Sequence, residues 1–294
     1  MATIAAQPHI LAAPQSLSRS LTLRLLPQTD PRPALRQLRD AWIPSWGVFG
    51  MGEPLIRALG SSVSGLRTFP ALSGPACSVP STQQSLWLRC GGDNRSTLFD
   101  RSERVLAILA SAFAIEEVLD SFLYAGGRDL TGFEDGTENP KAEAAVEAAL
   151  VSAGNGLRHS SFVAVQKWVH DLARFRSYST DQANAVVGRR IQDNEEIGDA
   201  PESAHVKRTA QESFDPAAFM LRRSLAWATG REQGLEFTAY VESLDRFERP
   251  LRRMVGLDDG VVDGLFTFSR PVTGGYYWCP PIAEGRFDFS LIGL

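Results

Sequence analysis

Stretches of alternating and of helically spaced apolar residues interleave along the chain. Leu21, Leu23 and Leu25 alternate with Thr22 and Arg24, which predicts a strand over Leu21–Leu26. Pro31 and Pro33 open a helix running to Trp42, because proline is accommodated in a first helical turn. A strand at Trp46–Met51, a helix at Glu53–Leu59 and a Ser/Gly/Pro-rich loop over Gly60–Ser81 follow. Ser85–Cys90 reads as a strand. Asn94 or Ser96 then caps a long helix in which Val105, Leu106, Leu109 and Phe113 recur at helical spacing. The apolar segment Val105–Leu119 is expected to be a buried helix, since Ser111, Glu116 and Glu117 interrupt it too often for a membrane span.

The second half repeats this mixture. Residues 124–142 carry glycines, acidic groups and a proline with no period, so they form a loop between the halves. Phe162–Val169 reads as a strand and Ala173–Arg190 as a helix. Five acidic residues between Asp193 and Glu202 mark a solvated loop. Leu235, Phe237, Ala239 and Val241 alternate with Glu236, Thr238 and Tyr240, as a strand with one covered face requires. Phe247, Leu251, Met254 and Val255 follow at helical spacing, and Gly274–Cys279 is a last short strand. The pattern implies an α+β architecture with two similar halves, although no residue-level repeat is visible.

Composition narrows the function classes. The 294 residues carry 30 Lys plus Arg against 34 Asp plus Glu, a net charge of −4, which gives no basic surface for nucleic acid. A hydrophobic share of 44% excludes wholesale disorder. Three cysteines without CxxC spacing point to a reducing, cytoplasmic setting, and the first residues show no export signal. The four histidines, His9, His159, His170 and His205, show no zinc spacing; a cofactor needing a single protein ligand remains open. Asp135, in Gly132-Phe133-Glu134-Asp135-Gly136, fits a tight turn as well as a catalytic carboxylate. Arg222-Arg223-Ser224 lies in an expected strand, where an inward guanidinium needs an anion. Gly188-Arg189-Arg190 reads equally as a basic helix end.

The run Gly127-Arg128-Asp129-Leu130-Thr131-Gly132-Phe133-Glu134-Asp135-Gly136-Thr137-Glu138-Asn139-Pro140 closely resembles the GxxDG region of the dye-decolourising (DyP-type) haem peroxidases. Val187–Arg190, Asn194–Glu196, Ser203–Arg208, Leu221–Ser224 and Val272–Trp278 resemble later blocks of that family in the same order. The resemblance implies tandem ferredoxin-like modules, here an N-terminal extension over 1–18, a first module over 19–140 ending in the GxxDG loop, and a second over 141–294 carrying haem b. It implies His205 as the proximal iron ligand, with Asp263 as acceptor for its other nitrogen. Asp135 and Arg222 stand on the distal side, with Ser224 as polar partner of the arginine. Arg189, with Arg190 as register alternative, is expected near a haem propionate, Gly136 and Thr137 beside the cofactor, and Phe237 as a pocket wall or ordinary core residue.

The implied activity is reduction of hydrogen peroxide through a ferryl (Compound I) intermediate, with oxidation of an aromatic, dye-like or porphyrin-like reductant. Trp168, Tyr276, Tyr277 and Trp278 are candidates for electron transfer, with core packing the plainer role. A carboxylate base suggests an acidic optimum. No membrane and no nucleic-acid partner are expected, and a homo-oligomer is. The alternatives are a haem-handling protein without turnover and a haem-free structural dimer.

Overall fold

Most of the alternating segments become strands of one barrel. These are β1 (Leu17–Leu25), β2 (Gly47–Met51), β3 (Leu86–Gly92), β4 (Phe113–Phe122), β5 (Ser161–His170), β6 (Leu225–Ala228), β7 (Gln233–Val241) and β8 (Gly275–Cys279). They belong to a computed structural model that describes residues 4–294; residues 1–3 of the expected N-terminal extension lie outside the described residues. Neighbours run β5-β8-β2-β3-β1-β4-β6-β7, every pairing is antiparallel, and β7 pairs back onto β5 from Gly234↔Val169 to Val241↔Phe162. That pairing closes the sheet and removes its edges.

With helices α1 (Arg32–Ala41) and α2 (Arg95–Leu109), the first half runs β1-α1-β2-β3-α2-β4, and its strands lie in the order β2-β3-β1-β4. The second half places β6-β7-β5-β8 in the corresponding order, with helix α6 (Asp245–Met254) between β7 and β8. The seams between the halves are short: Phe122↔Ala226 and Ser121↔Trp227 on one side, Met51↔Trp278 on the other.

Alternation assigns the two faces of the barrel. Leu21, Leu23, Phe49, Met51, Leu86, Leu88, Tyr276 and Trp278 point outward and pack with Leu35, Leu38, Val105 and Leu109 in one apolar core. The inward face mixes apolar side chains, among them Val48, Trp87 and Tyr277, with polar groups that bond one another. Ser18 and Ser121 share a hydrogen bond of 2.7 Å, Ser121 donates to the buried Glu236 at 2.7 Å, and Arg89 donates to Thr238 Oγ1 at 3.0 Å. Tyr276, Tyr277 and Trp278 are fully buried in these layers.

Phe49 is 0% exposed and packs its ring 4.8 Å from Phe287 and 5.9 Å from Phe289. Phe49→Ala is expected to lower unfolding free energy by about 3–5 kcal/mol, read from guanidinium denaturation midpoints at constant m, because the emptied site lies between fixed strands.

The expected helix over Val105–Leu119 is wrong in its second half. Asn94 accepts from the N–H groups of Ser96 and Thr97 and starts α2 as expected, but the helix ends at Leu109. Phe113–Phe122 instead hydrogen-bonds along the whole of β1, with a register shift between Thr22 and Leu23. Phe113 prolongs the helical spacing of Leu109 by coincidence, while cross-strand pairing decides the backbone. The expected helix Ala173–Arg190 is likewise two: α3 (Leu172–Arg176) and α4 (Thr180–Val187), the second begun by a capping box between Ser179 and Gln182.

Candidate active site

The loop from Gly127 to Asn139 is built on its own main chain. Asp129 N–H donates to Phe133 O at 2.9 Å, Gly132 N–H to Asp129 O at 2.8 Å and Asp135 N–H to Gly127 O at 3.1 Å. Gly136 has φ +76°, and a Cβ there would stand 2.6 Å from Asn139 Nδ2, so glycine is required for two reasons. That approach lets Asn139 clamp the next element: its Nδ2 donates to Arg222 O at 3.0 Å and its Oδ1 accepts from Arg222 N–H at 2.8 Å. Arg222 lies in a short strand, Leu221–Arg222, paired to β7 at Ala239. Asp135 and Arg222 are thereby brought into the wall of one cavity.

His205 opens the short helix α5 (His205–Arg208). Its Nδ1 lies 2.8 Å from Oδ2 of Asp263, whose other oxygen accepts from Leu265 N–H at 2.8 Å. Asp263 is 1% exposed, so the carboxylate is committed to this ring and to the turn behind it. Nε2 of His205 makes no hydrogen bond among the described residues, and the ring stands in the same cavity wall. Gly188, φ +89°, lets α5 come close: a Cβ there would lie 2.3 Å from Val206 Cγ2.

The cavity encloses about 160 Å³ of free space between its walls. Leu235, Phe237, Phe247, Leu251, Met254 and Phe268 make it largely apolar. Phe237 is therefore both wall and packing residue, its ring 5.9 Å from Phe247. Trp168, from β5, also faces the cavity. Burial pushes the Asp135 carboxyl above its ordinary pKa; the opposite charge of Arg222 pulls it down and the like charge of Asp129 adds to the rise. The Nε of Arg222 is buried without a partner. A free imidazole nitrogen, a cation with unspent donors and a carboxylate around an apolar cavity are a donor set that fits haem.

Other expected residues stand outside the wall. Arg189 donates to Glu138 at 2.6 Å, to Glu196 at 3.2 Å and to Asn194 O at 2.9 Å. Arg190 pairs with Asp193 and Glu195. Thr137 Oγ1 accepts from Asn194 Nδ2 at 2.9 Å. Ser224 is half-buried, with an Oγ that has no partner and no hydrogen bond to Arg222. Sequence reading passed over Asp129, His170, Gln166 and Ser269, which also line the cavity.

An antiparallel barrel flanked by helices, with a cavity that brings His205 together with Asp135 and Arg222, defines a haem-binding α+β protein. Residues 126–284 match the family "Dyp-type peroxidase, C-terminal". The chain is 30% identical over 224 residues to a dye-decolorizing peroxidase of Mycobacterium tuberculosis, covering 74% of this chain and 67% of that one. With the corresponding protein of Brevibacterium linens the figures are 27% identity, 74% and 61%. Among solved structures it is similar to a DypB variant of Rhodococcus jostii RHA1 in complex with heme, with TM-score 0.86 and 28% identity over 94% of this chain and 96% of that one. A dye-decolorizing protein from V. cholerae matches with TM-score 0.81 and 27% identity, over 92% and 95%. The chain belongs to the DyP-type peroxidase family and is a haem-dependent peroxidase.

Proposed function

We propose that the chain reduces hydrogen peroxide at a haem b held by His205, at the expense of an aromatic, dye-like or porphyrin-type reductant, with Asp135 moving the proton and Arg222 holding the developing charge. The observation that carries this reading is the meeting, in one cavity, of His205 with Nδ1 already spent on Asp263, a buried carboxylate and a guanidinium with an unpartnered Nε. A protein that only carried haem would need the imidazole but would have no use for the other pair.

When bound, haem supplies the iron that takes up the oxidising equivalents of peroxide. The chain's residues do the rest. Donation of Nδ1–H to Asp263 fixes the tautomer that leaves Nε2 as ligand and makes the ring more basic. Asp135 accepts a proton from the entering peroxide and returns it to the oxygen that must leave as water. Arg222 supplies a guanidinium charge that stabilises the negative charge as the O–O bond parts. Arg189 is the cation from which a haem propionate would displace Glu138.

The raised pKa of Asp135 changes the expected pH dependence. Only the ionised carboxylate is a base, so the rate with peroxide climbs as pH rises through a pKa above the ordinary aspartate value. Stopped-flow mixing of the haem-loaded protein with peroxide is expected to show this limb. Asp135→Asn is expected to lose the limb and react roughly 10²-fold more slowly. A limb that persists in Asp135→Asn removes that residue from the proton step, and a haem-loaded parent inert to peroxide would mark a haem-handling protein instead.

The remaining features belong to the same reading. The strand order of each half, second-third-first-fourth, supports two ferredoxin-like modules. Exposed Ile115 and Val118 on β4 support self-association, and free Cys77, Cys90 and Cys279 support a reducing cytoplasm. Among the described residues no helix is long and apolar enough to cross a membrane.

A further inference from the structure

The proton step leaves a second carboxylate in the cavity wall without a task. Asp129 lies on the same loop as Asp135, and its Oδ2 is 3.1 Å from Nε2 of His170, whose Nδ1 is 2.6 Å from Ser269 Oγ. Its Oδ1 accepts from the N–H of Thr131 at 2.8 Å and from Thr131 Oγ1 at 2.5 Å. The His170 and Asp129 side chains are 7% and 17% exposed. Ser269 is the cross-strand partner of His170, on a strand that follows Phe268 and pairs with the end of β5. A turn closed by Thr131 needs only Oδ1. The second oxygen ties the loop to the barrel wall.

We propose that Asp129, fixed by His170 and Ser269, is a positioning residue for Asp135: it anchors the loop that presents that carboxylate and sets a second negative charge in the same cavity wall. This rests on the reading of Asp135 as the proton-moving group.

The charged groups facing Asp135 are Arg222 from the strand on β7, His205 from α5 and Asp129 from its own loop. Glu134, also in the cavity wall, has its carboxylate bonded to Arg128 at 2.9 Å and Asn194 at 2.9 Å. Arg222 and His205 favour the ionised form of Asp135; Asp129 opposes it. Burial raises the Asp129 carboxyl, but the His170 ring and the two Thr131 donors outweigh it and keep it below the ordinary range. Asp129 therefore ionises first and remains charged while Asp135 titrates. Two carboxylates in one cavity whose surroundings drive their pKa values apart take different roles, the lower as fixed charge and the higher as acid–base group.

The test is made on both haem-free and haem-loaded protein. In the haem-free protein, the carboxylic C=O infrared band that Asp135→Asn abolishes is titrated in the parent, in Asp129→Asn and in His170→Gln. Asp129→Asn removes the like charge, and the band is expected to disappear at lower pH than in the parent. His170→Gln keeps a donor to Asp129 but removes the ring that holds its carboxyl down, so part of the like charge is lost and a smaller shift in the same direction is expected. The acid limb of the peroxide reaction in the loaded protein is expected to move the same way in each variant. An Asp135 band whose midpoint is unmoved in either variant that folds overturns the proposal. Loss of the limb in Asp135→Asn, with no shift from Asp129→Asn, would sink this inference and leave the reading of Asp135 standing.

Discussion

Arg222→Leu is expected to bind haem and to react with hydrogen peroxide roughly 10²–10³-fold more slowly than the parent, the cost of removing a preorganised charge from the place where negative charge develops. The substitution tests the side chain and little else. The backbone of residue 222 is held by Asn139 on both its N–H and its C=O and by pairing with Ala239, none of which depends on the guanidinium. Leucine also matches the apolar lining around it. Losing the cation deprives Asp135 of its strongest downward influence, so the pH limb assigned to that carboxylate is expected to move upward in the same variant. The measurements are a haem titration by absorbance and stopped-flow mixing with peroxide across pH. A peroxide rate equal to the parent's would show that charge stabilisation comes from elsewhere.

How much of this was legible in the chain depends on where each signal is written. Strand β7 was legible because Leu235 and Phe237 face an apolar cavity while Glu236 and Thr238 face the barrel interior, so burial stamps the alternation on the sequence. Strand β4 was not, because Phe113 falls one helical turn after Leu109 and only its partner across the sheet decides which period wins. Barrel closure rests on β7 pairing with β5 and on seams of one or two residue pairs, contacts that no local pattern records.

The site shows the same division. Asp135, Arg222 and His205 could be named from motif resemblance, and Asp263 as acceptor for His205 came from the same source. Asp129 stood inside the quoted motif but carried no mark of its own, since its partners His170 and Ser269 are distant in sequence. The neighbours of Arg189 were not legible in the same way: its guanidinium meets Glu138 and Glu196, carboxylates that local spacing did not single out.

His205→Ala is expected to fold and to lose the histidine-ligated ferric spectrum altogether. The fold should survive because the His205 side chain is 25% exposed at the first residue of a four-residue helix, and its loss opens no core cavity. The spectrum should not, because the other three histidines offer no substitute. His170 has both ring nitrogens engaged, by Asp129 and Ser269. His9 bonds Ser45 O at 3.0 Å, and neither His9 nor His159 lines the cavity. Asp263→Asn is the graded companion. It preserves shape and the acceptor for Leu265 N–H, but it removes the charge that orients and strengthens the imidazole. Haem affinity is expected to fall roughly 10–100-fold, the usual penalty for losing such a partner. Both effects are read by titrating haem into the haem-free variants and following the Soret band. A ferric spectrum in His205→Ala identical to the parent's would place the iron ligand outside this cavity wall. The same spectrum lost in His205→Ala but unweakened binding in Asp263→Asn would assign Asp263 to holding the turn before Leu265 rather than to the ring.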